Sequence, residues 1–280
     1  MSSADEIRYA QRTAWAGLST SWDKWDSIIM DQLAPAGAAI IEGLGIARDQ
    51  QHLDVASGTG EPGLTIARRA PKGRIVLTDL VAEMLEIAER RAEAAGIANV
   101  ETKVCSADDL PFDDATFDSV SVRFGYMFFP DMAKATAEFV RVLRPGGRLG
   151  AAVWVDPDDN PWTTIAMQAI GSEVELPPLD PDGPSMYRCA APGFIGTLYH
   201  QAGLHDVEER DVAIELVTES PDQYWEVISD HVSLVSAVLR RVDEAARARI
   251  REIAIAKVSA FAHDGQVRVP GKARCVLGTR

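Results

Sequence analysis

Basic side chains are scarce in this sequence. Its 280 residues carry 28 Lys and Arg against 42 Asp and Glu, a formal charge of −14. That balance opposes binding to polyphosphate or to an anionic membrane surface, so nucleic acid is not an expected partner. Long apolar runs are missing too. None approaches the roughly 18 residues that would span a bilayer. The N-terminus carries Asp5, Glu6 and Arg8 where a secretion signal would need an apolar core. A cytoplasmic location without membrane insertion is therefore expected. The three cysteines, Cys105, Cys189 and Cys275, lie far apart with no paired spacing, which argues against a zinc site or a disulfide framework and leaves packing as their role. No metal is expected. Nor is there a compact catalytic triad, a paired-carboxylate signature or a Tyr-x-x-x-Lys pair.

What the chain has is 46% hydrophobic content, enough for one large domain or a core with an appended cap. It is organised around Gln51 to Gly63, QHLDVASGTGEPG. His52 to Ala56 reads as a short buried strand, Ser57-Gly58-Thr59-Gly60 as a tight turn, and Pro62 as the first residue of a helix. Glycine admits positive φ and lets a ligand approach main-chain N–H groups, while the helix start offers unpaired donors. Such a turn suits a nucleotide-like ligand, although small-residue turns also serve plain βα packing.

From there strands alternate with helices. Arg74–Asp79, Val100–Ser106, Phe117–Val122 and Arg148–Val155 are the further strands; Val81–Ala95 and Met132–Leu143 are helices, stopped by Gly96 and by Pro145-Gly146-Gly147. This alternation implies an α/β fold with a parallel, doubly wound sheet, whose ligands bind at the carboxyl ends of the strands where strand order reverses. Asp79 ends the second strand 25 residues after Asp54, where such a fold places a carboxylate to accept both ribose hydroxyls. The plainer alternative is that Asp79 only caps the next helix.

Three regions flank this core. Residues 5 to 34 form a helical leader rich in aromatics (Tyr9, Trp15, Trp22, Trp25), which either staple the leader to the sheet or close over a ligand. After Pro35 a separate apolar helix runs to Gly43. Asp156 to Pro184 is a Pro- and Asp-rich flap interrupted by a short helix from Pro161 to Gly171. Pro221 to Ala262 is expected to insert two helices that cover the strand ends or make a homodimer contact. Tyr126 and His231 are candidate catalytic residues, the former leaving the fourth strand at the site, the latter on an apolar helix side; packing is the alternative for both. The apolar run Met127-Phe128-Phe129 suits a flat or lipid-like acceptor.

The segments LDVASGTGEPG, RIVLTDLVAEML, CSADDLPFDDATFDSVSVRFG and EFVRVLRPGGRL resemble the successive motifs of class I S-adenosylmethionine-dependent methyltransferases, in particular the UbiE-like (ubiquinone/menaquinone C-methyltransferase-like) branch, across about residues 48 to 155. The resemblance implies a Rossmann-like sheet, mostly parallel with an antiparallel last strand at Ala273–Gly278, under a helical cap. Residues 1–46 would be the leader, 47–155 the cofactor-binding core, and 156–280 the flap, the remaining strands and the inserted cap 221–262. It implies S-adenosylmethionine as cofactor. Asp54 and the turn of Ala56, Ser57, Gly58 and Gly60 would hold its methionine part, Asp79 the ribose, and Leu80 and Met84 the ribose and adenine face. Ser106, Ala107 or Asp108 would read the adenine edge, with Arg123 and Phe124 at the sulfonium end and Trp15 of the leader closing over. Ala56 stands where most of these enzymes have glycine, and Ser106 where an acid is common.

The function implied is methyl transfer to carbon or oxygen of a hydrophobic small-molecule acceptor, aromatic, quinol or polyketide-like. Alternatives are N-methylation of a small amine, a binding protein or cyclase that keeps the cofactor without methyl transfer, and a nicotinamide-dependent oxidoreductase, since Gly58 to Gly63 satisfies G-x-G-x-x-G.

Overall fold

A computed structural model describes residues 3–176 and 183–280. The Val-, Ile- and Leu-rich runs become strands β1 (Gln51–Val55), β2 (Arg74–Asp79), β3 (Val100–Val104), β4 (Phe117–Arg123) and β5 (Leu143–Trp154), all parallel. β1, β2 and β4 are buried along nearly their whole length because helices cover both faces of a parallel sheet. The crossovers are α4 (Gly63–Arg69), α5 (Ala82–Ala94) and α6 (Met132–Val142), preceded by the leader helices α1 (Ala4–Ala16), α2 (Ser19–Lys24) and α3 (Asp26–Leu44). After β5 come α7 (Pro161–Gly171), α8 (Phe194–Gln201) and β6 (His205–Thr218). The insertion α9 (Pro221–His231), α10 (Ser233–Leu239) and α11 (Glu244–Val258) follows, then β7 (Ala262–His263) and β8 (Gln266–Thr279).

Strand order is β3-β2-β1-β4-β5-β8-β6, with β7 paired to β8 and β8 antiparallel to both its neighbours β5 and β6. The chain leaves β3 at one edge and re-enters at β4 beyond β1, so strand order reverses between β1 and β4. In doubly wound sheets such a reversal, at the carboxyl ends of the strands, is where ligands bind. The last antiparallel strand is longer than expected, because β6 pairs with it from Thr218↔Val267 to His205↔Thr279.

Three elements differ from the sequence reading. The leader does not break at Pro35: α3 runs through it. Proline forfeits one helical hydrogen bond, but Ile29, Leu33, Ala36 and Ile40, all buried on either side of it, hold the helix against the sheet. Pro145-Gly146-Gly147 lies inside β5 rather than ahead of it, and the register against β4 shifts there, between Phe117 and Ser119. The insertion holds three helices, not two. Val232 turns extended (φ −81°, ψ 110°) and ends α9, and the Asp243 side chain caps α11 by accepting from the Ala246 N–H.

That insertion is no loose appendage. Tyr224, Ile228, Val235, Ile250 and Val258 are buried in the same apolar cluster as Val120, Val122 and Leu149 of the sheet. The Tyr224 hydroxyl donates to the Trp162 carbonyl of α7 at 2.9 Å. By contrast α1 buries none of its residues. The stretch 177–182 of the expected flap lies outside the described residues. No described helix is long and apolar enough to cross a membrane.

Candidate functional site

β1 ends in a turn built from left-handed backbone: Ala56 at φ +52°, Gly58 at +53° and Gly60 at +112°. A side chain at Gly60 would strike Leu64, its Cβ only 2.7 Å from Cδ1, whereas nothing lies within 4 Å of the place a Cβ would occupy on Gly58. The turn is thus tight underneath and open on top. Ala56 explains its own oddity: the position needs the left-handed region, which glycine enters freely and alanine at about 1–2 kcal/mol. Across the strand reversal, Phe124 at the end of β4 is also left-handed, at φ +59°. Gly125 is fixed by close approach, since its Cβ would sit 2.7 Å from that of Ala56. Strain held at two adjacent strand ends marks the crevice between them.

Asp79 does two jobs at this turn. Its Oδ2 accepts from the Gly58 N–H at 2.9 Å and its Oδ1 from the Val81 N–H at 3.0 Å, so the carboxylate pins the glycine turn and starts α5. Burial raises its pKa, and the backbone N–H groups of Gly58, Val81 and Leu80 oppose that rise. Asp54 lies deeper and is wholly buried: Oδ2 accepts from the Gly63 N–H at 2.9 Å and Oδ1 from the Ser121 hydroxyl. Desolvation pushes its pKa up to about 7, against the pull of Ser121, Arg123 and Gly63. Beside it, buried His52 lies within 2.7 Å of the Ser119 hydroxyl and 2.9 Å of the Ser121 hydroxyl, and burial lowers its pKa to about 3. Asp54 therefore acts on the turn by holding the start of α4 in place.

Four further residues named from the sequence are wholly or partly buried. Ser57 is buried and its Oγ has no partner; Leu80 and Ala107 are half-buried and Met84 is buried. Ser106 sits in an isolated bridge to Asp109 and donates its hydroxyl to Asp108. The Asp108 carboxylate is buried and gripped by Arg8 of α1, with Nε at 3.3 Å from Oδ1 and Nη2 on Oδ2. Burial alone would raise the Asp108 pKa, but the Arg8 fork and the Ser106 hydroxyl outweigh it and hold it low. Its oxygens are thus committed to the leader helix.

The leader crosses the other strand ends as well. Arg91 of α5 reaches the Thr59 carbonyl at 3.4 Å and pairs with Asp23 and Asp26 of the leader, at 3.0 and 2.6 Å. The Trp15 ring meets Phe128 edge-on at 5.1 Å and Trp22 at 6.2 Å. Trp22 in turn meets His231 of the insertion at 4.4 Å. Trp25 donates its indole N–H to Asp230 at 3.0 Å, and Lys24 pairs with the same carboxylate. Leader and insertion therefore close over the carboxyl ends together. Arg123 and Phe124 lie beneath them. Phe124 stacks on Trp154 (4.1 Å, 18° between planes). Arg123 forms no salt bridge within 4 Å among the described residues, and its guanidinium donates to the Met30 sulfur at 3.4 Å. Burial lowers its pKa, with Glu61, Asp54 and Asp26 pulling the other way.

Tyr126 is a correction. It is fully buried among Phe129, Phe139 and Tyr199, with its hydroxyl 3.1 Å from the Thr136 Oγ1. Met127 is fully buried too. A three-residue helical turn swings both into the core straight after β4, so both are held by packing. His231 does reach the cap. Arg8, Arg91 and Trp22 were not singled out as site residues, because their roles arise from contacts with Asp108, Thr59 and His231, far off in the chain.

Comparison with known proteins agrees with this architecture. The model of the ubiE/COQ5 methyltransferase family matches residues 14–159. A demethylmenaquinone methyltransferase from Thermus thermophilus is 46% identical over 99 residues, covering 35% of this chain and 44% of that protein. The ubiquinone/menaquinone biosynthesis C-methyltransferase UbiE of Dinoroseobacter shibae is 40% identical over 126 residues, covering 45% and 46%. The chain spans about half the length of the curated relatives it matches. Among solved structures, the YcgJ protein of Bacillus subtilis superposes with a TM-score of 0.56 at 19% identity, over 88% of this chain and 97% of that one. A [4+2]-cyclase, SpnF, superposes with 0.54 at 21%, over 87% and 79%. Both likenesses speak to the fold. With over half its length matched by the family model, turn and strand ends included, the chain belongs to the ubiE/COQ5 methyltransferase family.

Proposed function

We propose that this chain is an S-adenosylmethionine-dependent methyltransferase acting on carbon or oxygen of a hydrophobic small-molecule acceptor, with an aromatic or quinol ring as first choice. One observation carries the reading: the turn after β1 is open above Gly58 and pinned from below by Asp79. The residues present fit the cofactor. The lone pairs of Asp79 not used by Gly58 and Val81 suit two ribose hydroxyls, the unpartnered Ser57 Oγ and the turn N–H groups suit the amino-acid end, and Leu80 and Met84 suit the adenine face.

The cofactor supplies an activated methyl on a sulfonium, so the protein's task is to align the acceptor and exclude water. Trp15, Trp22 and Phe128, packed edge-on against one another, offer apolar rings for that task. The names of the Thermus and Dinoroseobacter relatives favour a quinol.

The test is calorimetry with S-adenosylhomocysteine followed by transfer of labelled methyl to dithionite-reduced 1,4-naphthoquinone. Binding plus a labelled naphthol product is expected. Failure to bind S-adenosylhomocysteine, or binding of NAD in its place, would overturn the assignment.

A further inference from the structure

Two nitrogen atoms in the cap have been taken out of water and given nothing in return. The Trp22 Nε1 and the His231 Nδ1 are both buried without a hydrogen-bond partner, and they belong to rings whose centroids are 4.4 Å apart. Buried polar groups are nearly always paired, so each such atom calls for an explanation. The neighbours of this pair show that the leader satisfies its indoles elsewhere: Trp15 donates to the Gln11 Oε1 at 3.0 Å and Trp25 to the Asp230 Oδ2 at 3.0 Å. Trp22 lies between them in sequence and is left open.

Resting on the methyltransferase reading, we infer that Trp22 and His231 form the polar subsite of the acceptor pocket and grip one ring oxygen, hydroxyl or carbonyl, of a flat aromatic or quinonoid substrate. The chemistry selects oxygen. An indole N–H can only donate, so its partner must carry a lone pair, which an ammonium lacks. A hydroxyl accepts from Trp22 and donates to an unprotonated His231 Nδ1; a carbonyl accepts from Trp22 and from the other imidazole tautomer. Burial lowers the His231 pKa to about 4, so the ring is neutral at physiological pH and both modes are open to it.

The position is right for such a role. Trp22 comes from α2 and His231 ends α9, so the subsite is assembled from both halves of the cap. The chain of edge-on rings from Trp22 through Trp15 to Phe128 leads back to the segment that follows β4 and carries Arg123 and Phe124. A bicyclic ring lying along those aromatic faces would have its oxygen at the cap and its body toward the crevice. His231 here positions substrate and is not assigned to proton transfer.

The experiment uses the intact chain saturated with S-adenosylhomocysteine, whose binding is measured first and tests the methyltransferase reading by itself. 1,4-Naphthoquinol, 1,4-naphthoquinone and naphthalene are then compared by calorimetry on the wild type, Trp22→Phe and His231→Phe. The subsite predicts at least tenfold tighter binding of the oxygen-bearing probes than of naphthalene, with that preference cut at least threefold in each variant. It also predicts that the Trp22 indole signal, assigned in ¹⁵N-labelled protein by its loss in Trp22→Phe, moves when an oxygen-bearing probe is added. A quinol preference lost in His231→Phe identifies the hydroxyl mode, a quinone preference lost there the carbonyl mode, and equal binding of the two shows that both operate. Absence of the oxygen preference in the wild type, or its persistence in both variants, overturns the subsite even if S-adenosylhomocysteine binds. If the cofactor product fails to bind while the oxygen preference stands, the methyltransferase reading falls and the subsite remains. Should His231→Phe fail to fold, the Trp22 indole shift still decides; should Trp22→Phe fail, the loss of oxygen preference in His231→Phe does.

Discussion

The turn after β1 and the helical cap above it solve opposite problems. In the turn most polar groups are bonded within the fold: Asp79 by the N–H groups of Gly58 and Val81, Asp54 by the Gly63 N–H and the Ser121 hydroxyl, and the Ser57 N–H by Thr78, while the Ser57 Oγ is left without a partner. In the cap the contacts are ion pairs between side chains, such as Arg8 with Asp108 and Lys24 with Asp230, and two ring nitrogens are left without partners. A site for one invariant cofactor can be satisfied by the fold itself. A site that must receive an acceptor keeps part of its hydrogen-bonding capacity free until that acceptor arrives. The turn is held largely by hydrogen bonds to backbone N–H groups, and leader and cap meet through side chains.

Removing the carboxylate at the heart of the turn should have the largest effect. Asp79→Ala loses the two bonds to Gly58 and Val81 as well as the proposed ribose contacts, so affinity for S-adenosylhomocysteine should fall by roughly a hundredfold or more, about 2.7 kcal/mol. Circular dichroism should stay that of the wild type; unchanged affinity would refute the ribose assignment. Next comes the latch between the two regions. Arg8→Ala strips a buried carboxylate of its cation and should destabilise docking of α1 by about 2 kcal/mol, visible as faster proteolysis within residues 4–16 at unchanged global melting. Protection equal to the wild type would mean that α1 is held by something other than this pair.

A third test concerns the buried Asp54. Its folded pKa is raised to about 7, so its contribution to stability is fully present below the unfolded value near 3.8 and is lost as pH rises through 7. Asp54→Asn removes that dependence while Ser121 can turn its hydroxyl to His52. Urea denaturation should therefore find the variant faring best relative to the wild type at pH 8, the gap shifting toward the wild type by up to about 1.4 kcal/mol per pH unit on going down to pH 5. Equal pH profiles would show that the carboxylate is not uncomfortable where it sits. The smallest effect is expected at Tyr126→Phe, which loses a single neutral bond to Thr136 worth about 1 kcal/mol. Methyl transfer should be unchanged by this variant. A loss of turnover with intact cofactor binding would restore Tyr126 to the site.

The turn was legible because its chemistry is local. Strand, glycines and helix start follow one another within thirteen residues, and Asp79 ends the next strand, so one stretch of chain carries most of the geometry. Even the left-handed Ala56 could be noticed as a departure, though its φ could not be known. Tyr126 shows where local reading stops. Its place after β4 pointed to the site, but a single helical turn decides which way a side chain leaves a strand, and here it leaves into the core. Pro35 misled for the opposite reason: its local cost is real, and tertiary packing of Ile29, Leu33 and Ile40 overrides it.

By itself, then, the sequence determined the alternation of strands and helices, the glycine turn after the first strand and the carboxylate that ends the second, since hydrophobic period and turn chemistry act over a few residues. Only the tertiary structure decided that Arg8 meets Asp108, that Arg91 ties α5 to the leader, and that Trp22 meets His231 some two hundred residues away. Those pairings depend on how whole helices dock, and docking is set by the summed burial of many side chains, none of which announces its partner in the order of residues.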